Sequence, residues 1–324
     1  MIPKRNILIK FESETDLRWG TPPNKRSLDE YIKKGIINLD KPKGPTSHEV
    51  VSWVKEILAV ERAGHGGTLD PKVSGVLPIT IEKATKLVQV LLPSVKEYVG
   101  VLRLHGRISD ENLMRVFREF VGTVYQKPPV KSAIKREVRT REIYHLDIQE
   151  KDGSYILFKV SCQAGTYIRK LCHDIGEALG VGAHMAELRR TRTGPFTEEN
   201  SVTLHDLKDA YQLWKEEGIE KYLRETVMPM EYAVSHLPKV YVKDSAVSAI
   251  CHGASLTVPG IPMLDKNIER GKEVALMTLK GELIALGISE MSAKEIMESD
   301  KGIAVNVKRV FMEPEVYPRI WKRK

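Results

Sequence analysis

Between Gly64 and Gly75 the chain reads Gly-His-Gly-Gly-Thr-Leu-Asp-Pro-Lys-Val-Ser-Gly, four glycines around one carboxylate that is followed by proline. Such a backbone is built for close approach. Glycine permits positive φ and removes side-chain bulk, while Pro71 restrains Asp70 to extended geometry and so aims its carboxylate. A tight surface turn with a solvated aspartate uses the same residue types; the length and asymmetry of this stretch favour a functional loop. It lacks the G-x-x-x-x-G-K-[ST] spacing of a phosphate-cradling loop, and no strand followed by G-x-G-x-x-G leads into a helix here. An aspartyl-phosphate enzyme would need a second carboxylate nearby to hold magnesium, and Asp70-Pro71-Lys72 offers none.

Around this loop the chain alternates strand and helix patterns in an irregular order. Gly35–Leu39 is the first convincing strand. Thr46-Ser-His-Glu49 reads as a capping box, and Val50, Val51, Val54, Ile57 and Leu58 follow at helical spacing. Tyr98–Leu104 alternates as a half-buried strand, Glu111–Phe120 reads as a helix, and Tyr155–Cys162 is an aromatic and β-branched strand. From Tyr167 to Leu179 the apolar positions Ile168, Leu171, Cys172, Ile175 and Leu179 fit a helix that closes at Gly180. This order predicts an α+β domain, not a regular βαβ array.

From about Ser235 the pattern changes to short strands punctuated by Gly and Pro, among them Val274–Leu279, Leu283–Gly287 and Ala304–Met312, with a Lys280-Gly281 turn. A small β-barrel is expected there. Residues 1–34 are polar and charge-rich with little periodicity, and are expected to form an N-terminal arm packing on the barrel. The expected division is therefore 1–34, 35–234, 235–312 and a tail over 313–324; 324 residues ask for two compact units.

The 51 Lys and Arg against 43 Asp and Glu give a formal charge of +8, which favours a polyanionic partner. No apolar run is long enough to cross a bilayer, and Met1–Lys10 lacks a signal-peptide core, so a soluble, cytoplasmic protein with no membrane partner is expected. Cys162, Cys172 and Cys251 form no CxxC pair and no four-ligand zinc pattern; they are expected to be reduced, buried thiols.

The Gly-His-Gly-Gly-Thr-Leu-Asp-Pro loop resembles the catalytic motif of the TruB class of pseudouridine synthases. Leu39-Asp-Lys-Pro-Lys-Gly-Pro-Thr-Ser-His48 is similar to that family's first motif, Lys96-Glu-Tyr-Val-Gly100 to its tyrosine motif, and Gly165-Thr-Tyr-Ile-Arg-Lys-Leu171 to its arginine motif. Glu187-Leu-Arg-Arg-Thr-Arg-Thr-Gly194 resembles the strand that closes the pocket, and Leu237–Met312 is similar to a PUA domain, an RNA-binding barrel. Within the family, Pro128–Arg136 and Gly66–Pro78 carry a likeness to archaeal dyskerin, the catalytic subunit of box H/ACA guide-RNA particles. The basic tails of its eukaryotic counterparts are missing; Lys322-Arg-Lys324 ends the chain.

The resemblance implies a catalytic domain with a mixed, largely antiparallel sheet, followed by a PUA barrel. It implies that Asp70 starts the isomerisation, either attacking the anomeric carbon or removing a proton from the neighbouring sugar carbon. Either role needs an ionised carboxylate held still, and Arg169 is the implied guanidinium partner. Arg169 also stands out by position, because in the first turn of a helix a cation opposes the macrodipole at about 0.3–1 kcal/mol. Tyr98, by default a core aromatic between valines, would stack on the everted uracil, with its phenol available to proton transfer. Leu188 would wall the base's other side. His65, more often structural in such a loop, would contact RNA near the flipped nucleotide, together with Gly67, Thr68 and Leu69.

Lys135, Arg136, Arg139, Arg141, Arg189, Arg190 and Arg192 are candidates for phosphate contact, with Arg189, Arg190 and Arg192 favoured by their closeness to a matched motif; each could instead be a solvated face. The implied activity is pseudouridine synthesis in rRNA with no cofactor and no metal. The implied partners are a box H/ACA guide RNA, substrate rRNA, small accessory proteins and a kink-turn-binding protein. Two alternatives remain: a stand-alone enzyme acting on the T-loop uridine of tRNA, and a non-catalytic RNA-assembly scaffold, which would have no need of Asp70, Tyr98 and Arg169 together.

Overall fold

The computed structural model describes residues 6–127 and 137–319. The chain divides into two compact units. Of the described residues, one comprises those within Ile37–Ile81 and Leu87–Val227; the other gathers those up to Ile36, Glu82–Lys86 and those from Met228 onward.

A large mixed sheet, whose first strand lies in the first unit from Ile37 onward, runs in the spatial order Gly35–Lys41, Ser74–Ile81, Ala183–Thr193, Lys96–Leu104, Tyr155–Cys162, Arg139–Asp152 and Gly122–Gln126. Most of its neighbours are antiparallel; Ser74–Ile81 and Ala183–Thr193 pair in parallel, with Gly75 opposite Arg190. Lys96–Leu104 is a central strand, and its even-numbered residues Lys96, Tyr98, Gly100, Leu102 and Leu104 are all buried. They share one face because strand side chains alternate. The α+β architecture with a largely antiparallel sheet is the expected one.

Local sequence explains the helices that matter. The capping box at Thr46 and Glu49 forms as read, and starts Ser47–Leu58 with Val50, Val54 and Leu58 turned to the core. The helix Ile168–Ala178 begins one residue after the expected start, with Tyr167 at its N-cap and Arg169 in its first turn. A second capping box, Thr203 with Asp206, opens Leu204–Glu217, a helix missing from the sequence reading because its apolar face is thin, Leu207 and Ala210 being its buried residues. The 14-residue strand Arg139–Asp152 was also unread, its charged residues hiding a backbone that simply follows its neighbour Tyr155–Cys162.

In the second unit a seven-stranded sheet surrounds an apolar core that includes Val240, Val247, Leu256, Leu264, Val274, Ile284 and Val305. The N-terminal segment contributes Ile7–Ile9, which pairs antiparallel with Met263–Asp265. It also contributes the helix Leu28–Lys33, capped by Ser27 and too short to leave a periodicity in the sequence. Arg26 is held by both oxygens of Glu231 at 2.7 and 3.0 Å, and Glu282 accepts from the Thr21 amide at 3.0 Å and from the Tyr317 hydroxyl at 2.9 Å. Among the described residues no helix is long and apolar enough to cross a membrane. All three cysteines are free and buried.

Candidate active site

The glycine-rich loop is fixed from behind, backbone atom by backbone atom. It enters through a short strand, Ala63–His65, paired antiparallel with Ile79–Ile81, and the Gly66 amide donates to the Pro78 carbonyl at 2.8 Å. Ser47, the first residue of its helix, donates its hydroxyl to the Leu69 carbonyl at 3.0 Å and accepts from the Leu69 amide at 2.8 Å. The Gly44 amide reaches the Pro71 carbonyl at 2.8 Å, and the Val73 amide closes a turn onto the Asp70 carbonyl at 2.9 Å. Leu69 and Val73 plug into the core on either side of Asp70.

Two buried cations complete the grip. Lys41 Nζ donates to the Val73 carbonyl at 2.9 Å and the Pro42 carbonyl at 2.8 Å. Arg190 donates from Nε to the Val76 carbonyl at 2.8 Å and from a terminal nitrogen to the Gly67 carbonyl at 2.9 Å. Gly75 is what lets Arg190 come this near: at φ +105° a Cβ there would lie 2.2 Å from the Arg190 carbonyl oxygen, so only glycine fits. Burying a guanidinium without a carboxylate is costly, and Arg190 is pushed below the usual arginine range by burial. Carbonyl dipoles offset part of that cost.

With the loop so held, Asp70 points its carboxylate outward. Oδ2 accepts from Arg169 at 2.7 Å, and the two side chains remain 56% and 57% exposed. An exposed pair contributes at most about 1 kcal/mol to stability. Its effect is orientation: the guanidinium keeps one carboxylate oxygen engaged and leaves the other open. Arg169 is itself placed by Gln126, whose amide donates to the Tyr167 carbonyl at 3.1 Å and accepts from the Tyr167 amide at 2.9 Å, tying the start of the arginine helix to the sheet.

Tyr98 lies opposite Arg190 across the sheet and is 9% exposed. Burial raises the pKa of its phenol, which Arg190 partly opposes through a hydrogen bond and charge. The phenol is therefore a neutral O–H donor near neutral pH. Leu188 is buried on the next strand, close enough to Gly100 that a Cβ there would meet it at 2.9 Å. His65 packs edge-on against His48 with ring centroids 5.2 Å apart, and burial, His48 and Arg190 together lower its pKa, so it is a neutral imidazole.

The structure thus brings Asp70, Arg169, Tyr98, His65, Gly67, Thr68 and Leu69 around one loop. Arg190 joins them otherwise than expected: it is 1% exposed and spends its donors on protein carbonyls, which removes it from any phosphate surface. Arg189, on the opposite face of the strand, grips both oxygens of Asp40 at 2.9 and 2.8 Å, and Arg192 pairs with Glu97 at 2.6 Å. Lys135 and Arg136, with the rest of Pro128–Arg136, lie outside the described residues. Lys41, Ser47 and Gln126 received no role from the sequence, although Lys41 and Ser47 stand in the first quoted motif. Among the described residues no group of three or more His, Cys, Asp or Glu side chains is placed to hold a metal ion.

Comparisons with known proteins bear on the whole chain. Residues 55–113 and 106–168 match the TruB family pseudouridylate synthase N-terminal domain, residues 169–235 the tRNA pseudouridylate synthase B C-terminal domain, residues 238–311 the PUA domain and residues 2–51 the DKCLD (NUC011) domain. A relative from Methanopyrus kandleri named "Probable tRNA pseudouridine synthase B" is 62% identical over 317 residues, 98% of this chain and 94% of its own. One of the same name from Pyrococcus horikoshii is 59% identical over 320 residues, 98% and 96% of the two chains. Among solved structures, a chain of an H/ACA RNP bound to a substrate RNA containing 2'-deoxyuridine is 56% identical with a TM-score of 0.89, over 98% of both chains. A chain of a Cbf5-Nop10-Gar1 complex is 58% identical with a TM-score of 0.89, over 98% and 97%.

Proposed function

Because the chain belongs to the TruB family of pseudouridine synthases, we propose that it isomerises uridine to pseudouridine in ribosomal RNA, directed by a box H/ACA guide RNA. The observation that carries the chemistry is the outward carboxylate of Asp70 on a loop whose backbone is held from within, bonded to Arg169 at 2.7 Å. In the reaction the bond from the ribose anomeric carbon to the uracil ring nitrogen breaks, the base turns over, and a bond forms from the same sugar carbon to a ring carbon. The proton on that ring carbon leaves, the ring nitrogen gains one, and no redox partner is needed.

Asp70 acts on the sugar, as nucleophile or as base for the adjacent carbon. Arg169 holds it aimed through the 2.7 Å hydrogen bond. Tyr98 offers an aromatic surface to the everted uracil and Leu188 its apolar wall, while His65, Gly67 and Thr68 line the approach of the nucleotide; Leu69, buried and bonded to Ser47 through both its backbone groups, anchors the loop instead. The catalytic domain in this reading spans residues 35–234 and the PUA domain 235–312, between an arm at 1–34 and a tail at 313–324.

Guide dependence is supported by the 56% and 58% identity to chains from H/ACA particles. By that likeness the partners are a guide RNA, substrate rRNA, small accessory proteins of the Nop10 and Gar1 kind and a kink-turn-binding protein, all met in the cytoplasm. Direct action on the T-loop uridine of tRNA is a second reading, favoured by the name its curated relatives carry. Incubating the purified chain with tRNA transcript alone, and in parallel with guide, accessory proteins and rRNA fragment, separates them. Conversion only in the guided reaction is the expected result; substantial guide-free conversion of tRNA would favour the second reading.

A further inference from the structure

We infer that Lys96 is a positioning residue for this site: its buried ammonium clamps the turn Leu91–Ser94, and that turn is the floor on which the Gly66–Gly67 part of the catalytic loop rests. The inference rests on the reading of Asp70 and Tyr98 as the reacting centre.

Lys96 begins the strand that carries Tyr98, points to the same face two residues earlier, and is 4% exposed. Its Nζ donates to three carbonyls of one turn, Leu91 at 2.9 Å, Leu92 at 2.8 Å and Ser94 at 2.7 Å. These close the end of the short helix Val88–Leu91, where a cation also complements the helix dipole. The clamp uses all three N–H bonds of an ammonium. From the clamped turn the Leu91 side chain rises under Gly66, so closely that a Cβ on Gly66 would lie 2.9 Å from it. Next along the loop, a Cβ on Gly67 would stand 3.6 Å from both the Lys96 stem and Arg190. Lys96 thus connects the strand of the stacking tyrosine to the underside of the loop that presents Asp70, and neither Lys41 nor Arg190 contacts this turn in any hydrogen bond among the described residues.

A neutral amine has two N–H donors for three carbonyls, so the clamp is complete only while Lys96 is charged. Burial and the neighbouring Arg190 push its pKa down to about 7, against a smaller opposing effect of Cys162, which faces it across the sheet. Arg190 and Cys162 are the charged and titratable groups that act on it, and the Tyr98 phenol shares its face two residues along the strand.

The test uses the full chain in its assembled, RNA-bound form, with Lys96→Met and Leu91→Ala as variants. Lys96→Met is expected to lower kcat at least tenfold at pH 6.5 while KM for RNA stays within twofold, and to flatten the decline of kcat between pH 7 and 9 that is expected of the wild type. Leu91→Ala, which keeps the clamp and removes the contact beneath Gly66, is expected to lower kcat several-fold with KM unchanged. A folded Lys96→Met that keeps wild-type kcat and the wild-type pH profile overturns the inference. Should Lys96→Met not fold, Leu91→Ala decides alone, and unchanged kcat overturns it. If the wild type itself fails to isomerise uridine, the functional reading underneath has failed; an active wild type matched by both variants removes the role of Lys96 only.

Discussion

Arg190, sealed at 1% exposure, donates to the Gly67 carbonyl at 2.9 Å and lies opposite Tyr98 across the sheet, so one guanidinium contacts both the glycine loop and the aromatic wall. Replacing it with methionine leaves the Val76 and Gly67 carbonyls without their donor inside the protein. Each unsatisfied buried carbonyl costs about 1–3 kcal/mol. Arg190→Met is expected to lose about 2–5 kcal/mol, read as a lower midpoint in denaturant with an unchanged slope; a midpoint equal to wild type would contradict this account of the loop.

Asp70 and Arg169 predict the opposite separation of stability from activity. Both side chains are more than half exposed, so Asp70→Asn is expected to change stability by less than about 1 kcal/mol. It should nonetheless reduce conversion at least a thousandfold, measured as pseudouridine in guided rRNA. Arg169→Met keeps the carboxylate and is expected to lower kcat by about ten- to a hundredfold, with RNA affinity little altered. A variant lacking Asp70 that still converts uridine would end its assignment as the reacting group.

At Tyr98 the ring and the hydroxyl can be told apart. Tyr98→Phe keeps the buried surface and loses the O–H, so stability is expected to shift by about 1 kcal/mol, and any larger loss of kcat measures proton transfer. Tyr98→Ala opens a cavity beside Arg190 and is expected to cost about 3–5 kcal/mol, with substrate saturation weakened as well. Equal kinetics for wild type and Tyr98→Phe would leave the tyrosine a stacking surface alone.

Lys96 makes a pH-dependent contribution whose sign can be worked out. Its pKa is about 7 in the folded chain and near 10.4 when unfolded. Between these values the unfolded chain binds more protons, so stability rises with pH, by up to about 1.4 kcal/mol per pH unit. Relative to Lys96→Met, the wild type is expected to gain stability from pH 7 to 9 in denaturant titrations. Over the same interval its kcat is expected to fall, a pairing that general loosening of the fold would not produce.

How much of this was legible in the sequence depends on what decides each residue's place. The loop that presents Asp70 stood out by its length and asymmetry, since its glycines and following proline are also the residue types of an ordinary surface turn. The capping box at Thr46 and the period of Ile168, Leu171, Cys172 and Ile175 were legible because local geometry alone sets them. Arg190 was not. In Leu188-Arg-Arg-Thr-Arg192 the three arginines look alike, and what buries the middle one is the absence of a Cβ at Gly75, 115 positions away. Lys96 was hidden for a similar reason: three carbonyls that converge on one point leave no mark in composition or spacing. The strand Arg139–Asp152 escaped because its pairing with Tyr155–Cys162, and not its own polar residues, makes it extended.

The main-chain carbonyls of Gly67, Leu69, Pro71 and Val73, which steady the aspartate's loop, are answered by groups within the same unit, from Arg190, Ser47, Gly44 and Lys41. The blade is therefore set in its handle before any nucleic acid arrives, and nothing in that setting reads a base. In the guided reading proposed above, breaking the glycosidic bond and choosing the uridine are separate tasks, and one pre-set tool can be pointed at many uridines by exchanging whatever holds the strand in front of it.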